Sequence, residues 1–177
     1  MADNRKKVRE TLLKDLFSAD EKLVLRSIER AKKHADVSFI EPLLLVQKEG
    51  SEIVAGKVDE ILSEIKMTDA EDALMDALKD ERFKSQRGNI LRYLWSSGFE
   101  PSNQLATIVE VAIEGDYMTA LEGYTLIEQF TGAVDDDQLM QSLVDLRLAL
   151  NDMDKNDDKF TLLQSMHLYL DEMEKSQ

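Results

Sequence analysis

The chain has 177 residues, 43% hydrophobic and 33% charged, with a formal net charge of −14 and no cysteine. That describes one folded domain with a real core. It excludes a disulfide framework and a thiolate metal site. Two prolines and seven glycines leave little material for β-turns, and Leu, Ala, Glu, Asp, Lys and Met dominate, so the class is all-α.

In chain order, the first expected helix spans about Asp3–Leu16, with Val8, Leu12, Leu16 and Phe17 on its apolar face. Ser18-Ala19-Asp20-Glu21 reads as a capping box opening a helix to His34, with Leu23, Leu25, Ile28 and Ala31 inward. A helix over about Val37–Lys48 follows, started near Glu41 or kinked by Pro42, and Gly50 closes it in the manner of a left-handed cap. Ser51 caps the next, which carries Ile53, Val54, Val58, Ile61, Leu62 and Ile65. Thr68-Asp69-Ala70-Glu71 reads as a second capping box before a short helix with Leu74 and Leu78. A third pair begins near Arg82, passes Gly98 and restarts at Glu100-Pro101. The fourth spans about Asp116–Phe130 and Asp136–Leu150, and Asn151–Asp158 is a polar linker to a last helix, Lys159–Glu174.

Segments Val24–Ile28, Val54–Val58, Gln86–Ile90 and Leu121–Thr125 superpose on one another, with third residues 26, 56, 88 and 123 spaced by 30, 32 and 35. Three of those are glycines inside helices, which close approach of a neighbouring helix would explain. Self-similarity at a period of about 20–50 residues is the mark of a solenoid. The expected architecture is a single domain over residues 1–177. It is a right-handed α-α superhelix of about four hairpins (20–48, 51–79, 82–114 and 116–150) between capping helices at about 3–17 and 158–174.

Over Asp20–Leu150 the hairpins, the interior small residue, the ADEKLVLRSIE segment (19–29) and Gly115-Asp116-Tyr117-x-Thr119-Ala120 resemble HEAT-like helical-repeat proteins of bacteria. The resemblance implies a protein-interaction scaffold and supplies no site residues.

Charge is distributed unevenly. Residues 1–33 hold ten cations and six carboxylates, while Tyr93–Leu146 hold ten carboxylates and no Lys or Arg. Such a surface repels a phosphate backbone, so nucleic acid is not an expected partner. The longest apolar run is Leu43–Val46, far too short to cross a membrane, and no secretory apolar region opens the chain. The expected location is cytoplasmic.

No catalytic template finds its residues. Asp152–Asp158 imitates the start of an EF-hand loop, but Asp157 stands where the turn needs glycine and Leu163 where a bidentate Glu is needed. His34 and His167 are isolated, so no metal and no cofactor is expected. Trp95, four residues after Leu91, reads as core. If the second helix of each pair lines a concave face, Asp72 and Asp76, Glu110 and Glu114, and Gln141 and Asp145 are i, i+4 pairs on it. The expectation is therefore a non-enzymatic module that binds a basic peptide or protein on these six residues. The alternative is a small-molecule-binding or lyase-like HEAT-repeat enzyme, which requires an apolar pocket with convergent polar groups.

Overall fold

The computed structural model describes residues 2–34, 36–67 and 69–176, with side chains from Lys6 onward. Among these residues the chain forms ten α-helices and no strand: α1 (Ala2–Leu16), α2 (Glu21–His34), α3 (Ile40–Glu49), α4 (Glu52–Leu62), α5 (Ala70–Lys79), α6 (Arg87–Ser96), α7 (Leu105–Glu114), α8 (Tyr117–Ile127), α9 (Asp136–Asp152) and α10 (Asp158–Ser176). Short 3₁₀ turns at Val37–Phe39, Glu81–Gln86 and Ser102–Gln104 lead into α3, α6 and α7. Two compact units divide the chain, Met1–Ala77 and Leu78–Gln177.

Several boundaries follow directly from local chemistry. Pro42 is the third residue of α3, inside the first turn, where its missing N–H costs no intrahelical bond. Ser51 accepts from the Val54 amide at the start of α4, and Asp116 accepts from the Thr119 amide at the start of α8. At the end of α6, Gly98 has φ 74°, Gly98 N donates to Trp95 O and Phe99 N to Leu94 O, both at 3.0 Å. This left-handed cap satisfies two carbonyls that the helix end leaves open.

Other local expectations need correcting. Ser18 accepts only from Asp20 N, at 3.1 Å. The cap of α2 is Asp20, whose carboxylate takes the Lys22 amide at 3.0 Å. Gly50 is extended, not left-handed, at φ −83° and ψ 177°. Glycine is needed there because a Cβ would lie 2.6 Å from Val46 O and 2.8 Å from a Val54 methyl. The second capping box begins at Thr68, which lies outside the described residues. The polar linker is shorter than expected, because α9 continues to Asp152 and α10 begins at Asp158.

In the first unit α1 packs on α2 and α3 on α4; in the second, α7 packs on α8 and α9 on α10. Helices two apart also pack: α1 on α3, α2 on α4, α6 on α8, α8 on α10 and α7 on α9. The close pairs are one helix out of step with the hairpins expected from the sequence. For α3–α4 and α7–α8 the reason is in the turns. Glu49-Gly50-Ser51 and Glu114-Gly115-Asp116 each leave two residues between helices, and in each the Gly amide donates to a Val carbonyl (Val46 or Val111) at 2.9 Å. Links that short force the second helix back along the first. The α2–α3 and α8–α9 connections are longer and impose no such reversal.

The repeat also appears as polar rungs. Between α2 and the α4 segment, Ser51 Oγ donates to Glu21 Oε2 at 2.5 Å, Lys57 Nζ lies 2.5 Å from Glu29 Oε1, and Lys32 Nζ donates to Glu64 Oε2 at 3.2 Å. In the second unit Trp95 Nε1 donates to Glu122 Oε2 at 2.6 Å and the Thr131 amide to Glu100 Oε2 at 2.9 Å. These partners are 27–32 residues apart, close to the spacing of the sequence repeat. Exposed pairs contribute little to stability, at most about 1 kcal/mol each. They set register, while burial holds the units.

The core stripes are Leu12 and Leu16 of α1, Val24, Ile28 and Ala31 of α2, Val54, Val58, Ile61 and Leu62 of α4, and Ile108, Val109 and Ala112 of α7. Phe17, expected on the apolar face of α1, and Ile53, among the apolar residues of α4, are 54% and 65% exposed. Phe17 follows the last residue of α1 and so leaves the helical face; Ile53 sits beside Val54, which takes the inward position. Leu23 and Leu25 are only half-buried, because the inward stripe of α2 runs through Val24, Ser27, Ile28 and Ala31. Tyr93 is fully buried, whereas Trp95 is half-buried with its indole N–H aimed at Glu122.

The three interior glycines are not equivalent. A Cβ on Gly123 would lie 3.3 Å from the Ala112 Cβ, and one on Gly88 would lie 3.2 Å from the Thr119 hydroxyl. Gly56 is exposed, with open space where a Cβ would be. Close approach explains the first two and not the third.

Candidate functional site

The six acidic-face residues fall in different units. Asp72 and Asp76 are exposed on α5, in the first unit. Glu110 and Glu114 are exposed on α7, Gln141 is exposed on α9 and Asp145 is half-buried there, all in the second unit.

In the second unit α7 and α9 lie side by side, and their first turns are tied together. The Ala106 amide donates to Gln138 Oε1 at 3.1 Å, and Asp135 caps α9 through the Asp137 and Gln138 amides. On α9, Gln141 Nε2 donates to Asp145 Oδ1 at 2.8 Å, so this i, i+4 pair is a local bond on one face.

Glu114 belongs to a different arrangement. Arg87 has a side chain only 10% exposed, and its fork is spread over three acceptors at 3.0 Å: Nε on Leu78 O, Nη1 on Glu114 Oε2 and Nη2 on Glu81 Oε1. From α10, Lys159 Nζ donates to Ile113 O at 2.7 Å and Gly115 O at 2.6 Å. A helix C-terminus carries partial negative charge and open carbonyls, which is where a cation is favoured. The cation-free stretch of sequence therefore receives two cations from outside it, both at the end of α7. Of the four expected site residues in this unit, Glu114 is engaged with Arg87, which leaves Glu110, Gln141 and Asp145.

The carboxylates with clearly shifted protonation equilibria are structural. The Thr119 amide, then the Thr119 hydroxyl, lower the pKa of Asp116. The Thr131 amide lowers that of Glu100, and the Ser38 hydroxyl and amide lower that of Asp36. Burial, followed by the nearby Glu128 charge, raises that of Tyr124, whose ring meets Tyr169 edge-on with centroids 6.0 Å apart. None of these is a carboxylate raised towards neutrality, the usual sign of an acid poised for proton transfer.

In the EF-hand-like segment, Asp154 takes the Asn156 amide at 2.9 Å and Asp157 takes the Lys159 amide at 2.8 Å, opening α10. Among the described residues no three His, Asp or Glu side chains converge as metal ligands, and no helix is long and apolar enough to cross a membrane.

The first unit holds a feature that no sequence motif announced. The end of α2, the start of α3 and the end of α4 line an open pocket of about 330 Å³, walled by Phe39, Ile40, Leu43, Ile61, Leu62 and Ile65. Lys32, Asp36, Glu64 and Lys66 stand around it. Each wall residue looks like ordinary core in the sequence, and the space is formed between residues of three helices.

One signal in the sequence does mark the packing units. Val46-x-x-Glu-Gly-Ser51-x-x-Val54-Ala and Val111-x-x-Glu-Gly-Asp116-x-x-Thr119-Ala are the same turn written twice, and each closes a tight pair. Comparison with protein-family models, with curated proteins and with solved structures finds no match for the chain.

Proposed function

We infer that the protein is a non-enzymatic interaction module whose units follow HEAT-like α-α superhelical stacking. Its working surface is the α7–α9 row of the second unit, and its partner is a basic peptide or protein. The observation that carries this reading is the pairing of α7 with α9, which sets Glu110 beside a helix bearing Gln141 and Asp145. Within the units, packing of α1–α4 and of α6–α10 on neighbours and on helices two along also fits the one-dimensional packing of repeat proteins.

An acidic row of this kind acts mainly through encounter. It raises the association rate of a cationic partner and makes binding weaken with salt. Affinity capture by wild-type protein and by the Glu110→Lys/Asp145→Lys variant, compared by quantitative mass spectrometry at two salt concentrations, tests the assignment. Basic proteins retained by the wild type at low salt should be lost from the variant. Equal capture by both rejects the acidic row as the binding surface.

A further inference from the structure

The outer face of α9 narrows the kind of basic partner that the α7–α9 row takes. A surface helix normally turns charged and polar side chains to solvent. Helix α9 buries Leu139, Leu143 and Leu146, yet it leaves Met140, Val144 and Leu148 outside, 61%, 46% and 59% exposed. Spaced at i, i+4 and i+8, these three form one apolar row about 12 Å long. Resting on the acidic-row reading, we propose that the partner segment is an amphipathic basic helix. It lays apolar side chains, four residues apart, on Met140, Val144 and Leu148 and sets its cations against Asp145 and Glu110.

Charge selects this occupant. Gln141 and Asp145 stand three and seven residues after Gln138, on the side of α9 that Gln138 ties to α7 through the Ala106 amide. They border the apolar row on that side, and Asp136 and Asp137 lie one turn before Met140. In all, α9 carries four carboxylates and one cation, Arg147. That cation lies on the flank towards α10, where Lys175 first, and more weakly His167 and Arg147, lower the pKa of Asp171. A second copy of the chain would bring the same carboxylates against these, and an anionic membrane would be repelled likewise. A cationic helix meets attraction at the rim and apolar surface in the middle, and the flexible thioether of Met140 adapts to its side chains.

The test uses two Leu/Lys peptides of the same composition and about 14 residues, or four turns. One has Leu at i, i+3, i+4 and i+7 spacing, and the other is scrambled so that no apolar face forms. Fluorescence anisotropy at low salt should show the wild-type protein binding the first at least about tenfold more tightly than the second. Met140→Gln/Leu148→Gln replaces exposed side chains with one of similar helix propensity, so the urea midpoint should be unchanged. This variant should lose the preference and still bind the scrambled peptide as the wild type does. Equal wild-type affinity for the two peptides, or a preference retained by the Gln variant, overturns the amphipathic helix and leaves the acidic row standing. No binding of either peptide, or binding unchanged by Glu110→Lys/Asp145→Lys, rejects the acidic row and the proposal with it. A wild type that dimerises by light scattering, or sediments with phosphatidylcholine vesicles, where the Gln variant does neither, assigns the face to a second copy or to lipid and also overturns the proposal.

Discussion

The interior glycines allow the packing argument to be tested with one methyl group. Gly56 lies mid-helix in α4, exposed, with nothing near the space a Cβ would occupy. Replacing it with alanine removes only the entropic cost of glycine, so Gly56→Ala should stabilise the protein by about 0.8–1 kcal/mol. Gly123 lies mid-helix in α8, buried against α7. There a Cβ meets the Ala112 Cβ at 3.3 Å and a methyl of Ile108 at 3.7 Å. The Ala112 Cβ is fixed to its backbone and cannot rotate away, so the helices must separate by a few tenths of an ångström. Overpacking typically costs about 1–3 kcal/mol, which exceeds the propensity gain, so Gly123→Ala should destabilise by about 1–2 kcal/mol. The two identical substitutions should thus differ in sign. Urea unfolding monitored by circular dichroism reads the difference, and the thermal midpoint should move by roughly 2–4 °C per kcal/mol. A destabilising Gly56→Ala, or a Gly123→Ala as stable as the wild type, would show that the α7–α8 approach is not what selects glycine.

Arg87→Met should destabilise the second unit by about 2–3 kcal/mol, because it strips a donor from Leu78 O and leaves Glu81 and Glu114 without their shared cation. The effect is kept below the usual loss for a buried pair because those carboxylates are 72% and 48% exposed. Arg87→Lys should not restore it, since one ammonium cannot reproduce a planar fork aimed at three acceptors; denaturant midpoints of the three proteins decide. Asp116→Ala should cost about 1 kcal/mol through the lost cap of α8, with Asp116→Asn close to neutral at pH 7. Asp36, Glu100 and Asp116 all have folded pKa values below their unfolded ones. Their contribution is therefore complete above the ordinary carboxylate range and is lost as pH falls through the lowered values. Stability followed from pH 7 down to pH 2 should be level at first and decline below about pH 4. Asp116→Asn should flatten that decline, and an unchanged acid profile would contradict its assigned role.

The sequence alone determined the helical class and most helix boundaries, because apolar spacing and cap residues act over a few positions. Ser51 caps the helix it precedes, and the repeat spacing reappears in the partners of Glu21, Lys32 and Trp95. The acidic residues of α7 and α9 were equally legible as helix-surface positions. Tertiary structure decided everything that depends on which surface a helix meets. A one-residue turn of register put Val24 and Val54 inside while Leu25 was left half-buried and Ile53 exposed. Two short turns paired α3 with α4 and α7 with α8, one helix away from the frame that periodicity suggests. Arg87 and Lys159 reach the end of α7 from 27 and about 45 residues away, which no local pattern encodes. Periodicity marks a face of a helix but carries no information about its neighbour, and the pocket between α2, α3 and α4 is made of neighbours alone.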